Sequence, residues 1–279
     1  MPLPQLRMAN FRDQVMYGLA YKMGLDPSNV FGVQADAYAS FINTWIRKLF
    51  DRFDWPEWTV LNQFTPDANH YVPIFQTAPT LTIGRVLKLY LTNPITTRGV
   101  LDTPFKQNVN GIWCGFEHGP TVWMKYLPQA PLFTAKVWSS TTTYSNYFSQ
   151  VDRSYCVTYD PISGWCFASA QDGNTNHNPF PVDATGTWWQ ALPFPESLVD
   201  LVVRGAYSEA LREDGQTEKA IAEEQAVMSD AFIKAASQLG LAYDVLSDQA
   251  RPAQRYRPPG GAADFMSGVL GVQPQPVQR

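Results

Sequence analysis

A hydrolase or transferase needs a nucleophile and a base within hydrogen-bond reach, with a third group holding the base in place. Few of these 279 residues could supply that set. The three histidines, His70, His118 and His177, each sit beside Pro, Gly or Asn in a polar stretch, and no two are spaced as ligands to one metal. Cys-x-x-Cys, the phosphate-cradling Gly-x-x-x-x-Gly-Lys and the nucleophile turn Gly-x-Ser-x-Gly are absent. Asp152, Asp160 and Asp172 would suit paired-carboxylate chemistry, yet Asp160-Pro161 and Asp172-Gly173 read as turns. The expectation is a protein without catalytic residues, cofactor or metal.

Two other sets of side chains have binding chemistry. Tyr144, Tyr147, Phe148, Tyr155, Tyr159, Trp165, Phe167, Trp188 and Trp189 crowd into one stretch. Exposed, such rings stack on a polysaccharide, with Trp165, Trp188 and Trp189 as the candidates; buried, they are the core of a lobe too small to use aliphatics efficiently. Near the end of the chain, Arg251, Arg255 and Arg257 accompany Tyr256 and Phe265. Arginine forks suit acidic partner groups, and aromatic rings anchor interfaces. The alternative role of these arginines is to keep a linker in solution. Cys156 and Cys166 could close a hairpin disulfide, whereas a protein made in the cytosol would keep buried thiols.

Charged residues make up 16% of the chain, against a usual share of about a quarter, while hydrophobic residues reach 45% and aromatics 14%. Either a large β-rich core or a surface covered by partner chains accounts for this. The net charge of −4 and the pI near 5.4 speak against a dedicated nucleic-acid binder, though not against lining a passage for DNA, where repulsion of phosphate is useful. Met1 to Asn10 shows no basic region followed by an apolar run, so no secretory signal is expected, and no stretch is apolar enough to span a membrane.

The elements that must position these groups follow from periodicity. Phe11, Val15, Leu19 and Met23 predict a helix over about 9–23, capped by Asn10. Phe41, Ile42, Trp45, Leu49 and Phe53 predict a second over 36–53, stopped by Trp55-Pro56. From 59 to 191 short alternating runs such as Val86 to Leu91 and Thr121 to Tyr126, separated by turn residues, predict strands. After Pro193 and Pro195, helices are expected over about 196–212 and 217–239, divided by Asp214-Gly215-Gln216, the second with Ile221, Met228, Phe232, Ala235 and Leu239 as the apolar stripe it buries. Between Glu196 and Lys234 nine acidic residues face four basic ones, so one face should be solvated or meet a basic partner.

The expected fold is therefore α+β: residues 1–58 and 192–246 forming a discontinuous four-helix bundle, with 59–191 inserted as β lobes, 59–140 and an aromatic-rich 141–191. Residues 247–279, with five prolines, Gly260-Gly261 and no periodic run, form an extended docking arm. Stretched out, such an arm reaches on the order of 100 Å at about 3.3 Å per residue.

Several stretches resemble the head-to-tail connector, or portal adaptor, proteins of tailed bacteriophages. Lys22-Met23-Gly24-Leu25-Asp26-Pro27, Ile42-Asn43-Thr44-Trp45 and Asp54-Trp55-Pro56-Glu57 are similar to their N-terminal helical pair. Pro193-Phe194-Pro195-Glu196, Val203-Arg204-Gly205-Ala206-Tyr207 and the more specific Leu211-Arg212-Glu213-Asp214-Gly215-Gln216 are similar to their C-terminal pair. Tyr155 to Tyr159, Gly164 to Ala168, Asn178-Pro179 and Trp188-Trp189 resemble the chitin-binding type 3 fold. Val151-Asp152 and Cys166-Phe167 depart from its pattern. The resemblance implies a structural virion protein of the neck, assembled in the host cytoplasm as a dodecameric ring. Its tails would run onto portal subunits, with tail or nozzle proteins below and DNA passing through without sequence-specific binding.

Overall fold

The computed structural model describes residues 9–30, 32–73, 83–97, 102–108, 111–115, 120–148, 153–179, 187–192, 194 and 196–238. The chain starts with a π-helical turn, Phe11–Met16, running into α1, Tyr17–Lys22. Asn10 caps the turn by accepting from Asp13 N. The helix stops after two turns, and Gly24 there has a φ of +74°. Helix α2, Val33–Arg52, follows and buries Tyr38, Ile42, Trp45 and Leu49 on one face. Trp55 ends it, its indole N–H donating to Leu49 O at 3.0 Å.

Eleven strands fill the middle of the described chain. β1 (Val60–Phe64), β2 (Tyr71–Val72), β3 (Ile83–Tyr90), β4 (Lys106–Asn108), β5 (Gly111–Trp113) and β6 (Val122–Pro128) make two antiparallel sheets, ordered β1-β6-β3 and β2-β5-β4. Ile83, Val86, Leu89, Ile112, Met124 and Tyr126 give these sheets a shared core of their own. β7 (Thr143–Tyr144) and β10 (Asn174–Thr175) form a two-stranded sheet, and β8 (Val157–Tyr159), β9 (Cys166–Ser169) and β11 (Trp189–Ala191) form a fourth, ordered β11-β9-β8. Between β6 and β7 an extended strap, 129–137, lies along α2. The Asn43 amide clamps it like a neighbouring strand, donating to Phe133 O at 2.7 Å and accepting from Phe133 N at 2.8 Å. A 3-10 turn, Glu196–Leu198, then leads into α3, Val199–Glu213, and a tight turn with Gly215 at φ +76° leads into α4, Thr217–Gln238.

The expected discontinuous four-helix bundle is not what forms. In a bundle each helix has two flanking neighbours around a common axis; here α3 is a hub that α1, α2 and α4 each pack against. The first helix is too short to be a full member, since the π-helical turn and α1 together span only 11–22. The core is also not a helical core with a separate β insertion. Leu19, Trp45, Leu49, Leu201 and Val202 share one cluster with Phe133, Tyr147, Cys156, Val157, Cys166 and Ala168. Strand β9 shows how: side chains alternate across a strand, so Cys166 and Ala168 face the helices while Phe167 enters an aromatic cluster on the other side. The fold is a mixed α/β arrangement of four helices and several small antiparallel sheets.

The N-terminus is fastened to this layer by polar contacts. Asn10 Nδ2 donates to Ser163 O at 2.7 Å, Arg12 N donates to Gly164 O at 3.1 Å, and the Arg12 guanidinium reaches Pro161 O. The α2–α3 contact is closer still. A Cβ built on Gly205 would stand 2.1 Å from Trp45 Cδ2, inside a fully buried indole. Gly205→Ala is therefore expected to lose at least the roughly 1–3 kcal/mol typical of over-packing. The check is the urea midpoint, set against Gly18→Ala, whose Cβ would meet only the Val203 side chain at 3.2 Å and should cost much less.

Candidate functional site

The aromatic stretch is mostly interior. Trp189 is 1% exposed, packs edge-on to Tyr144 at 5.0 Å and donates its indole N–H to His177 O at 2.6 Å. With Phe167 it forms the lobe core, against which Trp138, Trp165 and Trp188 lie half-buried. Trp188 stacks on the His177 ring at 3.7 Å and 12°. Of the three proposed sugar-stacking rings, Trp189 is occupied in the core, and only Trp165 and Trp188 keep partly open surface. The reading of a small lobe with an aromatic core explains most of the cluster, and Trp189→Ala should cost about 3–5 kcal/mol.

The residues inspected for catalysis have local structural duties. Asp160 accepts from Ile162 N at 3.1 Å and Ser163 N at 2.9 Å, and Asp172 accepts from Asn146 N at 2.8 Å. His70 sits at a turn with φ +67°, His177 is held against Trp188, and His118 and Asp152 lie outside the described residues. Among the described residues no group of three His, Cys, Asp or Glu side chains is placed to hold a metal ion. Cys114, Cys156 and Cys166 are buried thiols without a disulfide. Burial pushes Cys166 up to about 12, and burial with the nearby Asp67 charge pushes Cys114 up to about 11. Neither is poised as a nucleophile.

Charge is distributed in a way the sequence count does not show. Glu209 and Glu224 share Lys48 of α2 and Arg212 of α3, with contacts between 2.5 and 3.3 Å. Arg204 gathers Glu223 at 2.9 Å, Asp230 at 2.6 Å and Asp200 at 3.6 Å, and Lys22 meets Glu223 at 3.7 Å. Burial alone would raise the Glu224 carboxyl, but Arg212 and Lys48 outweigh it and hold its pKa below the ordinary value. Five of the nine acidic residues of this region are thus paired, four of them, Glu209, Glu223, Glu224 and Asp230, across helices and Asp200 within α3. Three of the other four, Glu213, Asp214 and Glu218, stand exposed at the α3–α4 turn.

Two surfaces lie open beside this network. The stripe expected to be buried on α4 is only in part the one that packs: Val227, Ala231 and Ala235 are buried, whereas Ile221 and Phe232, with Ile233, are 46%, 58% and 56% exposed, and Ala222 and Ala226 are exposed between them. The helix packs chiefly on α3, with ion pairs from Glu224 to Lys48 of α2 and from Glu223 to Lys22 of α1. On α2, a cavity of about 620 Å³ opens between the helix and the strap, and a second of about 360 Å³ continues toward the start of β3; Arg47 lines both. These basic positions, Arg47, Arg85, Lys136 and Arg153, are scattered over a hundred residues, so no local pattern announces them. The proposed partner-binding residues Arg251, Arg255, Arg257, Tyr256 and Phe265 lie outside the described residues. Comparison with protein-family models gives no match, and comparison with curated proteins gives none either.

A binding test separates the remaining ring chemistry from stability. Trp188→Ala and Trp165→Ala, at half-buried positions, should lower the melting transition less than Trp189→Ala and leave the protein folded. If the lobe grips a polysaccharide, both lose retention on insoluble chitin while folded. Wild type that is not retained, or variants retained equally, would remove sugar stacking from consideration.

Proposed function

We propose that this chain is a structural subunit that works by assembly: a ring-forming adaptor of a tailed-phage virion, set at the neck between portal and tail, with DNA passing through the ring. The observation that carries the reading is the outer face of α4. A helix at the edge of a fold turns polar residues outward; this one exposes Ile221, Phe232 and Ile233 among Gln225, Ser229 and Asp230. Large apolar side chains left open in this way are suited to an identical neighbour.

Supporting this are the motif resemblances at both ends of the chain and a helical layer in which ion pairs join α4 to both α2 and α3. The mechanism is thermodynamic. Each contact between copies is modest, and closing a ring multiplies it, because every added copy binds two neighbours already held in place. The arm, 247–279, then gives a second attachment, Arg251, Arg255 and Arg257 pairing with acidic groups on the portal.

Analytical ultracentrifugation tests the reading. Wild type alone, or with purified portal, should sediment as a multiple of the 31.3 kDa chain, and Phe232→Glu with Ile233→Glu should reduce self-association at least tenfold while leaving the melting transition in place. Deleting 247–279 should abolish portal binding and spare the fold. A stable single chain indifferent to portal would refute the proposal.

A further inference from the structure

We propose that the paired cavities along α2 are the seat for the α3–α4 turn of a second copy of this chain. This rests on the assembly reading above and adds a second contact, beside the outer face of α4, without which the ring does not form.

The seat is preformed and of the opposite sign to the protein. Arg47 and Lys136 line it and form no ion pair among the described residues. Arg85 and Arg153 line its far end, held by Asp54 and by Ala130 O. Asp36 and Asp51 in the lining and Asp54 on Arg85 offset three of these four cations, leaving a local excess of one positive charge in a chain whose net charge is −4. The Asn43 clamp on Phe133 fixes the wall opposite α2, so little ordering accompanies occupation.

The occupant follows from the acids left over. Glu213, Asp214 and Glu218 stand exposed on one tight turn, which Gly215 allows by taking a φ of +76°. That turn cannot reach the seat of its own chain. Positions 38, 42, 45 and 49 of α2 form the buried face, and the negative charge of Asp214 is felt by Tyr38 on that side. Positions 36, 40, 43 and 47, lining the seat, fall on the opposite side at 3.6 residues per turn. A turn on one side and its complement on the other make a head-to-tail contact, the kind that closes into rings. Nucleic-acid phosphate fits the seat less well, because two aspartates and the apolar Leu132 and Val157 share its lining.

Charge exchange in the full-length protein tests this. Arg47→Glu with Lys136→Glu in one preparation, and Glu213→Arg with Asp214→Arg in another, should each sediment as single chains with an unchanged melting transition. Mixing the two should restore the wild-type assembly, because the reversed turn meets the reversed seat and the native turn meets the native seat. If wild type assembles and both variants assemble equally well, the seat is wrong while the assembly reading stands. If wild type never self-associates, with or without portal, the assembly reading itself fails. Assembly lost in each variant but not recovered on mixing also overturns the seat, as does saturable binding of a DNA oligonucleotide that disappears with Arg47→Glu.

Discussion

Helices α2 and α3 meet as closely as they do because residue 205 has no side chain. The Trp45 ring occupies the space a Cβ would need, 2.1 Å from its nearest atom, and the rest of the architecture is set by how deeply that indole sits. Trp45 fixes the roll of α2 about its axis. The roll sends Lys48 toward Glu209 and Glu224 on one side and Asn43 toward Phe133 on another. Shifting the indole outward would separate the ion pairs and lift the strap together, since rigid helices transmit displacement along their length.

The same constraint explains why helices and sheet share one core. With α1 reduced to two turns, the helical layer cannot close around itself, and a side of α2 and of the N-terminal turn is left apolar. Strand β9 covers it. Its residues 166 to 169 are all buried, which a strand achieves only when both faces are packed; one set meets Trp45's cluster and the other meets Trp189's. The small aromatic lobe is thereby anchored through a strand whose other face is part of the main core.

Much of this was legible from local pattern and some was not. The helix spans over 36–53, 196–212 and 217–239 differ from α2, α3 and α4 by a few residues, because Trp55-Pro56 and Gly215 are local signals; which face of α4 is buried was not legible, since small Ala220, Ala231 and Ala235 pack while Ile221 and Phe232 stay open. The bundle was misread because stripes reveal that a face is buried without revealing what buries it. Leu19 and Ile42 carry the same spacing whether they face a fourth helix or a β-sheet. The candidate interaction surface was less visible still: Arg47 and Lys136 come together only after the strap folds across α2, and no window on the sequence contains both.

Net charge gave a partial guide to partners for a related reason. Charges on a surface are screened over about 8–10 Å at physiological salt, so a ligand at the α2 cavities responds to Arg47, Lys136 and the aspartates beside them far more than to the −4 of the whole chain. The low pI argues against coating the molecule with nucleic acid. It has no bearing on a local seat for an acidic turn. The apparent surplus of acid in α3 and α4 dissolves in the same way: Glu209, Glu223 and Glu224 are internal fasteners answered by Lys48, Arg204 and Arg212. Of the unpaired remainder, Glu213, Asp214 and Glu218 stand together at a single exposed turn, while Glu196 lies at the other end of α3.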